Sequence, residues 1–324
     1  MPHILVAGKL HPAGLERLKQ AQGFTHTLVD DVSVESYLPH MAEAEAVVLR
    51  TQPMTASTIA AAPKLAIVSR HGVGYDAVDV AALSARGIPL SIVGDVNSRA
   101  VAEHTLMLML AVARRAASHD RASREGQWNI RNRFETVELD GKTLLLVGFG
   151  RIGRRVAELA KAFGMAVMAY DPFVKPDLLA KHGVRPAADL VKALGEADVV
   201  SLHMPGSTAG AVIFEEELAA MKPGAILINA ARGGLVDEAL LDRALREGRL
   251  FGAGLDVLAS EPPDAGNPLL TNDRVVISPH TAGLTAECAA RMAVASVQNV
   301  IDHFAGRLDP ALVVNAAAIG YRKA

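Results

Sequence analysis

The sequence predicts an α/β protein made of two doubly wound parallel sheets, and three observations carry that expectation. Short apolar runs alternate with segments of helical period along nearly the whole chain. Runs such as Ala46-Val-Val-Leu49 and Leu144-Leu-Leu-Val147 are apolar without alternation, as strands covered on both faces are. Glycine turns or polar side chains follow several of these runs, where such sheets bind ligands.

In chain order, Ile4 to Ala7 reads as a strand, Pro12 to Gln20 as a helix stopped near Gly23, and Phe24 to Val29 as the next strand. A short helix runs through Leu38 and Met41. Strand Ala46 to Leu49 delivers Arg50 at its end, and Thr55 to Ala62 forms a small helix closed by Pro63. Strand Leu65 to Val68 runs into Ser69-Arg70-His71-Gly72-Val73-Gly74, and a helix from Asp79 to Arg86 stops at Gly87. The helix after Asn97, capped by Asn97 or Ser98, is apolar nearly all round and so suits burial at a seam between two domains. Arg121 to Leu139 is polar, carries the only tryptophan, Trp128, and reads as an arm or a surface loop.

The second half opens on its most informative stretch. Strand Thr143 to Val147 enters Gly148-x-Gly150-x-x-Gly153, a helix follows to Phe163, Gly164 stops it, and strand Met165 to Tyr170 ends at Asp171. With 27 glycines in the chain the spacing alone means little, but strand, turn, helix, strand and acid together match dinucleotide binding. Gly148 would allow the tight turn, Gly150 the approach of a pyrophosphate and Gly153 close packing, with the helix N-terminus facing the phosphates. Asp171 lies 18 residues past Gly153, placed for ribose hydroxyls, and it would repel a 2′-phosphate; NAD is expected over NADP. Lys175 is the nearest cation. A glycine turn with a purely structural role is the alternative. Strands at 197–202, 225–230, 251–257 and 275–277 alternate with helices at 190–194, 215–221 and 237–247, and a last long helix spans 285–304.

At 324 residues the chain is long enough for two domains with real cores, and half of it is hydrophobic. A net charge of −2 suggests no nucleic-acid-binding surface. Cys288 is the only cysteine, so no intrachain disulfide can form and a reducing compartment is expected. The first residues enter a strand without a signal-peptide pattern, and no apolar stretch is long enough to span a bilayer, so a cytoplasmic location is expected with no membrane partner.

Three groups stand just past strand ends after the glycine turn: Arg232, Glu261 and His280. A dinucleotide suggests hydride transfer, and reducing a 2-oxo acid needs a proton donor for the forming alkoxide and a cation for the carboxylate. Histidine suits the proton, a neighbouring carboxylate would favour its charged form, and arginine suits forked bonds to a carboxylate. On position alone other readings stay open. His280 is one of 11 histidines, Arg232 could merely tie down a glycine turn, and Glu261 could be a solvated loop acid.

From about residue 45 onward the chain resembles the D-isomer-specific 2-hydroxyacid dehydrogenases. The matching segments are Gly148-Phe-Gly-Arg-Ile-Gly153, Asn229-Ala-Ala-Arg-Gly-Gly-Leu-Val-Asp237, Gly254-Leu-Asp-Val257 with Ser260-Glu-Pro-Pro263, and Ser278-Pro-His-Thr-Ala-Gly283. The resemblance implies a Rossmann cofactor domain and a flavodoxin-like substrate domain. It implies His280 as acid/base, Glu261 as its partner, Arg232 as the orienting cation, and the N–H groups of Val73 and Gly74 as the carboxylate cradle. For NAD it points to Gly148, Gly150, Arg151, Ile152, Gly153, Asp171, His203, Pro205, Ala230, Ala231, Asp256 and Gly283. It also implies a homodimer, with the arm around Trp128 reaching the partner. The expected division is residues 1–98 plus 285–324 for substrate and 99–284 for cofactor, closing on a small 2-hydroxy or 2-oxo acid. No metal is implied. Formate is not an expected substrate, because related formate dehydrogenases pair the histidine with glutamine.

Within that family the chain looks most like the 3-phosphoglycerate dehydrogenases, on Arg50-Thr51, Arg70, Asn97-Ser98 and the arginines after Trp128, Arg131 and Arg133. Such arginines would suit a substrate with a carboxylate and a phosphate. His71 and Tyr75 depart from the smaller residues common in that subgroup, and Ile92-Val-Gly-Asp95 departs from its glycine-rich form. The chain's length leaves no room for a C-terminal regulatory domain, so feedback control is not expected. Hydroxypyruvate, glyoxylate and other short 2-oxo acids stay open, as does a non-enzymatic reading, an NADH-sensing protein like the corepressors that share the fold.

Overall fold

The computed structural model describes residues 1–206 and 211–322. It divides into two compact units, Met1–Asn97 with Leu284–Ala324, and Ser98–Gly283. These bounds differ by one residue from the expected 1–98, 285–324 and 99–284: Ser98 starts the helix of the second unit, and Leu284 precedes the last long helix of the first. Residues 323–324 of the expected C-terminal segment lie outside the described residues.

The first unit runs β1 (His3–Ala7), α1 (Pro12–Lys19), β2 (Thr25–Val29), α2 (Val34–Tyr37), β3 (Ala46–Leu49), α3 (Ala56–Ala60), β4 (Ile67–Arg70), α4 (Val80–Ala85) and β5 (Leu90–Ser91). All pairings are parallel in the order β2-β1-β3-β4-β5, the flavodoxin-like order. Successive residues of a strand feed opposite layers. Leu5, Val47, Leu49 and Val68 pack with Tyr37, Ile59 and Leu83. Ile4, Val6, Val48 and Ile67 pack with Leu18, Val297 and Val300.

The second unit begins with α5 (Ser98–Ala113) and α6 (Ala116–Arg124). It continues with β6 (Thr143–Val147), α7 (Arg151–Ala162), β7 (Ala166–Tyr170), α8 (Pro176–Lys181), β8 (Arg185–Pro186), α9 (Leu190–Glu196) and β9 (Val199–Leu202). Then come α10 (Glu215–Ala220), β10 (Ile226–Asn229), α11 (Glu238–Arg246), β11 (Gly252–Leu255) and β12 (Val275–Ile277). The parallel order is β12-β11-β10-β9-β6-β7-β8, a Rossmann arrangement extended by one strand. The chain reverses direction between β6 and β9, so ligands are expected above that switch point. Leu108, Met109 and Val112 of α5 lie in one core with Leu144, Leu146 and Val156. The chain then returns to the first unit as α12 (Ala286–Phe304), capped by Thr285, and α13 (Ala316–Ile319).

Several short elements, α8 among them, lie outside the sequence expectation. The stretch expected as an arm from Arg121 is helical at its start, because α6 runs to Arg124, and a 3-10 turn follows at Trp128–Arg133. Arg115, left-handed at φ 47, separates α5 from α6 without a glycine or proline to announce the break. Strands β5 and β8 are two residues each and exist as continuations of a neighbour's ladder. Among the described residues, no helix is long and apolar enough to cross a membrane, and no cluster of three or more potential ligands could hold a metal ion.

Candidate functional site

The glycine turn joins β6 to α7. Gly148 has φ +100, and a Cβ there would lie 2.6 Å from the His203 carbonyl oxygen; a Cβ on Gly153 would lie 2.5 Å from the Gly148 carbonyl oxygen. Both positions therefore demand glycine, one for the turn and one for the helix–strand approach. Gly150 is different: a Cβ there would meet nothing within 4 Å, so the turn opens onto free space. Gly150 caps α7 with no side-chain hydrogen bond, and the first turn carries Arg151 and Arg154 with no acid. Cations at a helix N-terminus oppose the helix dipole, an arrangement that favours an anion above the turn. The Asp171 carboxylate stands beside it, accepting from the Phe149 N–H at 2.8 Å and the Phe173 N–H at 2.9 Å.

His203 follows β9 and donates its N–H to Val147 O at 2.8 Å. Its Nε2 is hydrogen-bonded to Ser201 Oγ at 2.9 Å, while Nδ1 is buried with no partner. Burial lowers the ring pKa to about 3, so the imidazole is neutral at ordinary pH. Pro205 is exposed two residues on. Ala230 packs with Val101, Ala282 and Ile152 in one small apolar cluster, which brings two of the expected cofactor residues onto the segment that carries His280. Gly283, half-buried, ends that segment.

Past β12 the backbone turns at His280, which takes φ 53, left-handed and uncommon for a non-glycine residue. The His280 N–H donates to Asp256 O at 2.8 Å and to Ser278 O at 3.0 Å. Nδ1–H donates to Glu261 Oε2 at 2.7 Å, leaving Nε2 as the outward nitrogen of a ring that is 55% exposed. The other Glu261 oxygen, Oε1, accepts from the Leu258 N–H at 3.1 Å, so both carboxylate oxygens are held.

Asp256, 1% exposed, organises the turn beneath His280. It accepts from Ser278 Oγ at 2.6 Å, the Thr281 N–H at 2.8 Å and the Ala282 N–H at 2.9 Å. His104 Nε2 lies 3.3 Å from the same carboxylate and hydrogen-bonds to Ser278 Oγ at 2.8 Å. Burial by itself would raise the Asp256 carboxyl. The hydrogen bonds from His104, Ser278, Ala282 and Thr281 outweigh it and hold the carboxyl below the usual aspartate range.

Arg232 lies in the turn after β10. Its Nη1 donates to Ala231 O at 2.7 Å, and its own carbonyl accepts from Asn229 Nδ2 at 2.8 Å. Asn229 Oδ1 also accepts from the buried Ala231 N–H at 3.0 Å, so one side chain fixes both ends of the turn. Gly233 presses against the Leu258 carbonyl so closely that no Cβ could fit. The turn bearing Arg232 is thereby locked to the segment that leads to Glu261.

In the first unit, Arg50 and Arg70 sit at the ends of adjacent strands, in the register Leu49↔Arg70. Arg70 Nη1 donates to Leu49 O at 3.3 Å and His71 O at 3.1 Å, and Arg50 Nη1 donates to Lys9 O at 3.3 Å. The Gly72 carbonyl accepts from the Val93 N–H at 3.2 Å, which ties the loop carrying the half-buried Val73 and Gly74 to the segment that ends at Asn97. Arg131 and Arg133 belong to the 3-10 turn of the second unit, where Arg133 lies 3.9 Å from Glu135.

Two supporting residues escaped the sequence reading. Glu238 accepts from the Ala259 N–H at 2.5 Å and Asn267 Nδ2 at 2.6 Å, fixing the segment around Glu261. His104 supports Asp256 from α5. Its signal was present as a polar ring inside an otherwise apolar helix.

Comparison with known proteins follows the same lines. The family profile described as the D-isomer specific 2-hydroxyacid dehydrogenase, NAD binding domain, matches residues 106–282. D-3-phosphoglycerate dehydrogenase of Mycobacterium tuberculosis is 41% identical over 313 residues, covering 96% of this chain but 58% of that protein. The chain thus spans little more than half of the phosphoglycerate dehydrogenases it resembles. Glyoxylate reductase of Korarchaeum cryptofilum is 37% identical over 320 residues, covering 96% of each chain. The crystal structure of the TT0316 protein from Thermus thermophilus superposes with a TM-score of 0.88 at 36% identity, covering 96% of this chain and 99% of the other. The chain belongs to the D-isomer specific 2-hydroxyacid dehydrogenase family.

Proposed function

We propose that the protein is an NAD-dependent dehydrogenase that interconverts a D-2-hydroxy acid and a 2-oxo acid, with a 3-phosphoglycerate dehydrogenase-like preference. The observation that carries the reading is the His280–Glu261 pair, 2.7 Å apart at the carboxyl edge of a sheet that also bears the dinucleotide turn. The residues around that turn suit NAD: open space over Gly150, an arginine-rich helix start, and a carboxylate at Asp171. Gly148, Gly150, Arg151, Ile152 and Gly153 would face the pyrophosphate and Asp171 the ribose; His203, Pro205, Ala230, Ala231, Asp256 and Gly283 would border the rest of the cofactor. When bound, the reduced nicotinamide supplies the hydride.

His280 holds the proton. With Nδ1–H committed to Glu261, Nε2–H is the donor for the oxygen of the reduced carbonyl, and the same nitrogen takes a proton back in the reverse direction. Glu261 fixes the tautomer and steadies the charge. Arg232 orients the acid's carboxylate and carbonyl, the Val73 and Gly74 N–H groups cradle the carboxylate, and Arg50, Arg70 and Asn97 are the first unit's groups for the rest of the substrate. The enzyme acts in the cytoplasm as a homodimer. Trp128 (68% exposed) and Phe134 (88% exposed) are the apolar groups that a partner would cover.

A second reading, a glyoxylate or hydroxypyruvate reductase, is supported by the glyoxylate reductase of Korarchaeum cryptofilum, 37% identical over 320 residues. NADH oxidation with phosphohydroxypyruvate and hydroxypyruvate side by side separates the two. A much higher kcat/KM for the phosphorylated acid supports the first, and the reverse order supports the second. No turnover with any 2-oxo acid would leave the NADH-sensing reading in their place.

A further inference from the structure

His71 is 6% exposed, and its Nε2 is buried with no hydrogen-bond partner. A buried polar atom of this kind is rare in a folded chain unless something else completes it. The backbone fixes where the ring can be. Leu49 pairs with Arg70, and the His71 N–H donates to Leu49 O at 2.8 Å, so the ladder continues one residue past the strand and sets His71 beside Arg50. Both residues continue one face of the sheet: Arg50 lies two after Val48, and His71 two after Ser69, whose Oγ bonds to Ser296 O of α12. That edge is the carboxyl end of the strands, where sheets of this class bind ligands.

The ring's electrostatics agree with that placement. Burial first, then the neighbouring Arg50 and Arg70 charges, lower its pKa to about 4. At neutral pH it is an uncharged hydrogen-bonding group beside a guanidinium, and the Nε2–H tautomer can donate to an anion without adding charge. Arg70 Nη1 donates to the carbonyls of Leu49 and His71 and Arg50 Nη1 to that of Lys9, so both guanidiniums are anchored near the ring, Arg50 acting on it more strongly than Arg70.

We propose that His71 is a specificity-determining residue that, with Arg50, binds an anionic oxygen on the substrate's tail, the substituent remote from the 2-oxo acid group. Nε2–H donates to that oxygen, and a 2-oxo acid with a bare alkyl tail leaves the nitrogen unfilled. The assignment rests on the 2-hydroxyacid dehydrogenase reading above.

His71→Phe keeps a planar ring and removes both nitrogens, and His71→Gln keeps a donor. The kcat/KM of each variant is compared with wild type on phosphohydroxypyruvate and on pyruvate, and the affinity for 3-phosphoglycerate is measured by calorimetry in the presence of NAD. The phenylalanine variant is expected to lose about 10- to 100-fold in the ratio of phosphohydroxypyruvate to pyruvate, the effect of one hydrogen bond to a charged group, with pyruvate nearly unchanged and glutamine restoring part of the loss. The 3-phosphoglycerate affinity should weaken by a comparable factor. Equal losses on both acids, or an unchanged ratio, would overturn the assignment; should phenylalanine not fold, His71→Leu makes the same comparison. If the wild type reduces neither these acids nor any other 2-oxo acid, the dehydrogenase reading fails; in either case calorimetry then decides His71 alone. Weaker 3-phosphoglycerate binding by the variant upholds it, and unchanged or absent binding in the wild type overturns it.

Discussion

Asp256→Asn should unsettle the turn under His280 while changing hardly any volume. Two of the aspartate's hydrogen bonds come from consecutive backbone N–H groups, Thr281 on Oδ1 and Ala282 on Oδ2. An asparagine can offer its oxygen to only one side, so its NH₂ must face the other N–H. A charge-assisted bond contributes roughly 1.5–3 kcal/mol and an unpaired buried N–H costs about 1–3, so the substitution should destabilise by about 3–5 kcal/mol. Urea unfolding followed by circular dichroism would read that loss. The carboxyl is held below its unfolded range, so its contribution is complete above about pH 4, the unfolded aspartate value, and fades as pH falls through the folded value. The variant's stability should therefore fall less steeply with acid than the wild type's. Turnover should drop too, because the His280 N–H bonds to the Asp256 carbonyl and the left-handed backbone at His280 depends on the residues that follow. An unfolding midpoint and acid profile matching the wild type would refute the claim that Asp256 holds this turn.

Other perturbations test the proposed roles. His280→Asn should lower turnover by about 10²-fold or more with NADH binding retained, read by nicotinamide fluorescence; unchanged turnover would remove His280 from the mechanism. Glu261→Gln sets an NH₂ against either the Leu258 N–H or His280 Nδ1–H, so turnover should fall and the pH–rate profile should move; superimposable profiles would show that the pair has no part in proton transfer. Asp171→Ala should shift preference from NAD toward NADP. It should also cost about 1–3 kcal/mol, since two backbone N–H groups lose their acceptor. A constant NAD/NADP ratio would withdraw Asp171 from ribose binding.

Much of this was legible because the decisive signals are local. Strands β3 and β12 have the residues expected of them, since each is a short apolar run with a sharp polar end. The glycine turn could be read because backbone geometry leaves no other residue for Gly148 and Gly153. Helix α6 was missed at its start because the break before it is a left-handed arginine, with no glycine or asparagine there to mark it. The two-residue strands carry too little pattern to stand apart from loops. The Asp256 network was hidden for another reason: its donors are two backbone N–H groups and side chains from α5 and the turn after β12, brought together only by tertiary structure.

The contact between Gly233 and the Leu258 carbonyl bears on how such a protein can change its diet. The turn with Arg232 and the segment with Glu261 meet through main chain, with no side chain between them to trim or swap. Drift in side chains therefore has little purchase on the spacing of the chemical groups. The residues at the strand ends of the first unit, Arg50, Arg70 and His71, can vary without touching that contact. If these residues bind substrate as proposed, new substrates can be acquired there, one side chain at a time, while the proposed proton-handling pair is inherited intact.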